Sequence, residues 1–171
     1  MAYFSTVKLE SLQNAFTHKL HCLYDVELRL VEALPRMREA ASNAELKLGF
    51  GGHLTETKGQ VRRLELIFQQ LNQTPERSTA SVLKALVAEG DEIISSTGEP
   101  GVKDAVLIAV GRSVEHYEMS LYLTALSWAQ DLGLGDAAEL LQDTLDEEDS
   151  ADETLSVLAE ASIDAHAAHG G

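Results

Sequence analysis

Cysteine, proline and aromatic residues are scarce in this chain. Among 171 residues there are one cysteine, three prolines and one tryptophan. The single thiol, Cys22, cannot form an intramolecular disulfide or build a cysteine-ligated zinc or iron site, and it fits a reducing compartment. The low proline and aromatic content also argues against an all-β domain.

Long apolar runs and basic residues are lacking as well. No stretch approaches the roughly 20 apolar residues that span a bilayer, and MAYFSTVKLE lacks the features of a signal peptide. We therefore expect a cytoplasmic protein with no membrane partner. Thirteen Lys and Arg stand against 28 Asp and Glu, a formal net charge of -15. Because such a surface repels phosphates, the sequence also predicts no nucleic-acid partner.

Apolar residues recur at helical spacing almost throughout, which predicts an all-α fold. The expected helices are about 9–41, 42–71, 80–94, 102–132 and 137–165. Ser42 with Glu45, and Asp136 with Glu139, resemble capping boxes, and Pro35 falls inside the first helix. Short loops join antiparallel neighbours, and a long crossover with its own short helix joins the two hairpins. This order predicts a ferritin-like antiparallel four-helix bundle.

The chain length fits one domain, residues 1–171. The last residues, about 166–171, are expected to fray rather than to place their two histidines on a metal.

The sequence VEHYE places two carboxylates on an apolar helix face. Glu115 and Glu118 are three residues apart and share that face with Ile108, Tyr122 and Ala125. Each of the other long helices also carries acidic residues on its apolar stripe. The candidate metal ligands are Glu27, His53, Glu56, Glu115, Glu118 and Glu148, with Glu147 as the alternative to Glu148.

These carboxylates also agree in height along the bundle. Glu27, Glu56, Glu118 and Glu148 each lie roughly 14–16 residues from a hairpin turn, which at about 1.5 Å per residue places them at nearly one level. A single Glu on an apolar stripe usually reaches water at the stripe's edge. Four helices with inward carboxylates at one level are instead typical of a metal centre.

Five or six buried carboxylates cannot all stay ionised without counter-charge. The nearest basic candidates are Arg112 and Lys58. Two divalent cations would neutralise four carboxylates, and carboxylates with a histidine suit iron or manganese. We therefore predict two metal ions, bridged by Glu56 and Glu148.

The chain resembles the YciF/YciE ferritin-like stress-protein family, a relative of rubrerythrins. The resemblance lies in LYDVELRLVEALPRM, HLTETKGQVRRLE, KDAVLIAVGRSVEHYEMSLY and LLQDTLDEEDSADETL. It implies a dinuclear metal site, a homodimer and a role in bacterial stress. Two features depart from the wider pattern: His53-x-x-Glu56 reverses Glu-x-x-His, and Ser150 and Ala151 stand where a second histidine is expected.

Three functions follow from these observations. The first is a di-iron oxidoreductase that oxidises Fe(II) or reduces peroxide, the second a non-catalytic metal-binding or protein-interaction module, and the third a purely structural bundle. Tyr24 and Tyr117 are either hydrogen-bond partners of ligands or packing residues, and His116 is a hydrogen-bonding or interface residue. A second apolar side of the third long helix must also be covered, and we expect the crossover helix to cover part of it and a homodimer partner the rest. This second side contains Leu107, Val110, Val114, Leu121 and Trp128.

Overall fold

The helical periodicity of the sequence gives five α-helices in the computed structural model, which describes the backbone of residues 9–78 and 80–169 and the side chains of 9–78 and 80–161. The helices are α1 (Leu12–Ala40), α2 (Ala44–Gln70), α3 (Ser81–Ser95), α4 (Pro100–Asp131) and α5 (Gly135–His169). These ranges contain no strand, and the all-α prediction is confirmed. The side chains of the two tail histidines lie outside the described residues, so the expectation about the tail stays a prediction.

Four of the helices form the bundle and the fifth lies beside it. Helices α1 and α2 form one hairpin and α4 and α5 the other, while α2 also packs on α5 and α1 on α4. The short helix α3 packs against α4 and α1. The predicted four-helix bundle with a crossover helix is therefore confirmed. None of the described helices combines the length and the apolarity that crossing a membrane requires.

The cap of α2 differs from the prediction. Asn43, not Ser42, is the N-cap, and its side chain accepts from the N–H groups of Glu45 and Leu46. Ser42 instead donates through its N–H and its hydroxyl to Asp104 on α4, at 2.8 and 2.7 Å. The carboxylate of Asp104, 62 residues further along the chain, therefore binds the serine that the local sequence predicted as the N-cap.

The turn between α4 and α5 follows the sequence more closely. Gly133 has φ +71°, and the N–H groups of Gly133 and Leu134 donate to the carbonyls of Gln130 and Ala129. This is the Schellman arrangement that glycine favours at a helix end. Helix α5 begins at Gly135, so Asp136 lies in its first turn and is not the cap that the sequence predicted.

The second apolar side of α4 is covered within the chain. Leu107, Val114 and Leu121 are buried, and Trp128 is half-buried. Coverage within the chain thus extends further than the part that the sequence assigned to the crossover helix, and the homodimer stays a prediction. The family resemblance supports that prediction.

Asp25 on α1 binds residues of the crossover segment, and its substitution tests the fold. It is fully buried and accepts from Arg29, from Arg77 and from the Ala80 N–H, each at 3.0–3.2 Å. The two guanidinium groups and the Ala80 N–H lower the pKa of its carboxyl although burial opposes them.

We expect Asp25→Ala to lower the free energy of unfolding by about 3 kcal/mol, because a buried pair loses one partner. Urea denaturation followed by circular dichroism measures this. The matched control is Glu32→Ala, which removes an exposed partner of the same Arg77 and should cost less than about 1 kcal/mol. Equal costs for the two variants would contradict the structural role of Asp25.

Candidate metal centre

The four bundle helices bring their inward acidic residues to one buried layer. Each residue follows the apolar stripe of its own helix, as Glu27 does between Leu23 and Leu30 on α1. Glu27, Glu118 and Glu148 have no exposed surface, Glu115 is 3% exposed and His53 is 7% exposed. The helical pattern that builds the core therefore also buries these carboxylates.

Four side chains in this layer have ligand atoms close enough to share an ion. One donor atom from each of His53, Glu115, Glu118 and Glu148 lies within 4.8 Å of all the others. Two ligands of one transition-metal ion lie at most about 4.4 Å apart, because each bond is about 2.0–2.2 Å. Sub-ångström adjustments of these side chains would therefore allow them to surround a cation.

His53 lies among three carboxylates. Its Nε2 is 3.4 Å from Glu115 Oε1 and 3.7 Å from Glu148 Oε2, while its Nδ1 is 3.5 Å from Glu56 Oε2. Burial lowers the pKa of His53, but the interaction with Glu56 and the charges of Glu148 and Glu27 outweigh burial and raise it.

Glu27 is held in the same layer by a tyrosine. The hydroxyl of Tyr122, itself fully buried on α4, donates to Glu27 Oε1. The other oxygen, Oε2, has no hydrogen-bond partner. Tyr122 therefore orients one carboxylate oxygen and leaves the other available to a ligand. The sequence interpretation treated Tyr122 only as a core residue; a hydroxyl on a stripe beside glutamates was the signal for this role.

Glu56 and Glu147 occupy different surroundings. The side chain of Glu56 is 46% exposed and reaches His53 from the bundle surface, outside the four-residue cluster. Glu147 lies toward the outside and receives two bonds from the guanidinium of Arg63, at 2.7 and 2.5 Å, and one from Gln60 at 3.1 Å. Between the two neighbours on α5, the structure thus places Glu148, not Glu147, in the cluster.

Most of the buried polar atoms in the layer have no partner. Among the described residues, nine buried side-chain atoms lack a hydrogen bond, and eight of them belong to predicted ligands. They are Glu27 Oε2, His53 Nδ1 and Nε2, Glu115 Oε2, and both carboxylate oxygens of Glu118 and Glu148; the ninth is Gln60 Oε1. Native proteins rarely leave buried polar atoms unsatisfied, so such a concentration favours a site that can hold a cation.

The basic residues that the sequence offered as counter-charges are engaged elsewhere. Arg112 pairs with Asp152 at 2.8 Å, and Lys58 is exposed on α2. In the described part of the chain, no Lys or Arg forms an ion pair with Glu27, Glu115, Glu118 or Glu148. A bound cation would supply the counter-charge that ionised carboxylates need at this depth.

Burial changes the acidity of the cluster strongly. It raises the pKa of Glu115 to about 8, and it raises the pKa of Glu27, Glu118 and Glu148 well above the ordinary value. Nearby carboxylates raise the pKa of each further, Glu148 acting on Glu27 and Glu118, and Glu115 on Glu148. Without metal, burial therefore favours the protonated form of these carboxyls.

The remaining predicted residues lie around this centre. Tyr24 donates to Glu65 at 3.2 Å, and Tyr117 interacts with Cys22, so neither bonds a cluster residue. His116 contacts Asp152 at 3.1 Å, which agrees with the expected hydrogen-bonding role. Arg63 and Gln60, which hold Glu147, were missed because nothing local in the sequence pairs α2 with α5.

A four-helix bundle with a buried layer of carboxylates and a histidine defines the class of this protein: an all-α bundle with a site able to hold a metal ion. The chain belongs to the family described as "Domain of unknown function (DUF892)", whose model matches residues 11–168.

Relatives of known sequence and structure agree with that membership. Protein YciF of Escherichia coli K12 is 36% identical over 154 residues, covering 90% of this chain and 93% of YciF. The crystal structure of the E. coli stress protein YciF matches with a TM-score of 0.88 over 91% of this chain and 99% of that one. YcfI from Rhodopseudomonas palustris is 32% identical with a TM-score of 0.84, covering 91% and 98%.

Proposed function

We propose that this chain is a stress-associated metal protein that holds two divalent ions, iron in the first instance, between its four helices. The observation that carries the proposal is the set of buried, unpartnered ligand atoms on Glu27, His53, Glu115, Glu118 and Glu148. Four buried carboxylates balance the charge of two divalent ions, and their combination with imidazole suits iron or manganese. The stress role comes from E. coli YciF, which is described as a stress protein.

We further propose that the centre supports oxidation of Fe(II) with peroxide as electron acceptor. Iron, when bound, would supply one electron from each ion. The protein's own residues would hold the ions, exclude bulk water and fix the ligand orientation, as the Tyr122 hydroxyl does at Glu27. Half-exposed Glu56, 3.5 Å from His53, can exchange protons between solvent and the buried layer.

A second candidate is a metal-binding module without turnover. It is favoured by the relative YcfI, which has been put forward as a structural protein. The two candidates share the metal centre and differ only in reactivity. A homodimer and a cytoplasmic location complete the proposal. The family resemblance supports the dimer, and a dimeric mass in light scattering tests it.

Metal content tests the shared part of the proposal. Protein purified without an affinity tag or added metal should contain close to two iron or manganese atoms per chain by elemental analysis. Removing them with a chelator should lower the melting temperature, because a ligand present at 100 times its Kd contributes about 2.7 kcal/mol. A melting temperature that the chelator does not change, together with no uptake of metal, would contradict both candidates and leave only the purely structural bundle.

Reactivity then separates the candidates. Stopped-flow mixing of the anaerobic Fe(II)-loaded protein with peroxide should show oxidation faster than that of free Fe(II) in the same buffer. Tight metal binding with no acceleration would support the module without turnover.

A further inference from the structure

A cleft between α2 and α5 leads from the surface to the carboxylate layer. Its volume is about 180 Å³, and its outer part continues into a groove of about 510 Å³ along the same two helices. The cleft exists because small residues face each other across it. A Cβ added at Gly49 would still be 3.9 Å from Thr154, and one added at Gly52 would meet nothing within 4 Å.

The inner end of the cleft is formed by two candidate ligands. His53 and Glu115 both line it, each more than nine-tenths buried. Both ring nitrogens of His53 and Oε2 of Glu115 lack hydrogen-bond partners. The cleft therefore ends at polar atoms that are ready to receive a ligand.

The side of the centre that faces the cleft also lacks a protein ligand. In ferritin-like di-metal bundles, a Glu is followed three residues later by a ligating His. Here Ala151 stands three residues after Glu148, and it lines the cleft together with Ser150. The missing imidazole leaves space next to the centre.

The lining selects the kind of molecule that fits. Leu48, Phe50 and Leu155 supply apolar walls, and an apolar cavity of about 150 Å³ is enough to hold benzene. Glu56 in the wall and Glu45 and Glu153 in the outer groove repel anions. The same carboxylates would attract an ammonium group, but that group would have to give up its hydration against the apolar walls, a cost that an uncharged head avoids.

We propose that this cleft binds a small uncharged molecule with an apolar body and one polar head, and that the head reaches His53 and Glu115. The proposal rests on the proposed metal centre, since the cleft reaches two of its candidate ligands, and it names the class of molecule that would bind beside that centre. The binding step itself needs no metal.

Benzyl alcohol is a suitable probe, with benzoate and benzylammonium as charged counterparts of the same size. In ¹H–¹⁵N spectra of the metal-free protein, benzyl alcohol should cause saturable shifts at the amides of Gly52, Ala151 and Thr154. Benzoate should bind at least ten times more weakly. Tighter binding of benzylammonium than of benzyl alcohol, or no saturable shifts at these amides, would overturn the proposal.

A matched pair of glycine variants tests the location. Gly49→Leu fills the cleft and should weaken binding at least ten-fold. Gly59→Leu makes the same change on α2 outside the lining, with no atom within 4 Å of its Cβ, and should bind as the parent does. Both replace a helical glycine, so Gly49→Leu should melt no lower than Gly59→Leu. Equal binding by the two variants would exclude this cleft.

The orientation of the probe is tested with Mn(II) bound. The methylene protons beside the hydroxyl should relax faster than the para proton of the ring, because the head lies nearer the centre. Equal relaxation would overturn the head-in orientation. The titration of the metal-free protein gives a result even if the chain takes up no metal. Failure of the proposed metal centre and failure of the proposed cleft can therefore be told apart.

Discussion

The metal-free protein should become more stable when Glu148 is replaced by methionine, while metal binding is lost. Glu148 is fully buried, and neither of its carboxylate oxygens has a hydrogen-bond partner. A buried carboxyl without hydrogen-bond partners costs free energy, and replacing buried ion pairs by apolar residues of similar volume is often neutral or stabilises proteins by about 1–4 kcal/mol. We expect Glu148→Met to raise the free energy of unfolding of the metal-free form by an amount within that range, as measured by urea denaturation.

The same variant should bind metal more than about 100-fold more weakly. Changing a residue that only supports a ligand already costs about 10–100-fold in affinity, and Glu148 is placed to be a ligand itself. Isothermal titration with Fe(II) under argon, or with Mn(II), measures the loss. The parent protein should therefore be the less stable of the two without metal and the more stable with it.

The neighbouring residue provides the control. Glu147 differs from Glu148 by one position on α5, yet it receives two bonds from Arg63 and one from Gln60. Glu147→Met should lower the stability of the metal-free form, because the guanidinium loses its partner, and should leave metal stoichiometry unchanged. If Glu147→Met loses the metal and Glu148→Met keeps it, the assignment of the ligand on α5 is reversed.

The sequence predicted those properties of the fold that depend on local periodicity. Helix number and order follow from the apolar stripes, and the observed ends differ from the predicted ones by only a few residues. Inward carboxylates could be located in the same way, since a stripe fixes the face of the helix to which a residue belongs.

Contacts between distant segments could not be predicted from this local periodicity. Asp104 binds Ser42, which the sequence had predicted as a helix cap, and α3 packs against α4, whose second apolar side had indicated a dimer. Helical phase was also too coarse to separate Glu148 from Glu147, since adjacent residues differ by only about 100°. Arg63, which distinguishes them, lies 84 residues away from Glu147.

Glu56 lies at the predicted level but nearer the surface than the other carboxylates. Its level in the bundle matches that of the other carboxylates, and the sequence interpretation made it a bridging ligand. Its side chain is 46% exposed, and its carboxylate faces His53 from the surface. The interaction with His53 lowers the pKa of Glu56, whereas burial raises the pKa values of the four inner carboxyls. The height of a residue along the bundle therefore predicts which residues lie near it, but not how deeply its side chain is buried.

Metal-free and metal-loaded protein should respond to pH in opposite directions. In the metal-free form the pKa of Glu115 is raised to about 8, and those of Glu27, Glu118 and Glu148 are raised well above the ordinary value of 4.5. The native state therefore binds more protons than the unfolded chain between about pH 5 and 8. Its stability must fall as pH rises through this window, by about 1.4 kcal/mol per pH unit for each group that keeps its proton.

Other titrating groups do not reverse that trend. The pKa of His53 is also raised, so its contribution is present at low pH and is lost in the same direction. The lowered pKa values of Asp25, Glu56 and Asp152 give stability that disappears only as pH falls below about 4.5. The metal-free protein should thus be most stable near pH 5.

Metal reverses the slope because it competes with protons for the same atoms. As pH falls from 7.5 to 5, protonation of the carboxyls and His53 weakens metal binding, and the stabilisation that metal confers declines. Melting curves of both forms across this range, at fixed total metal, measure the two slopes. Glu148→Met should flatten the metal-free slope and Glu147→Met should retain it. Parallel slopes in the metal-free and metal-loaded protein would show that these carboxylates do not hold the ion.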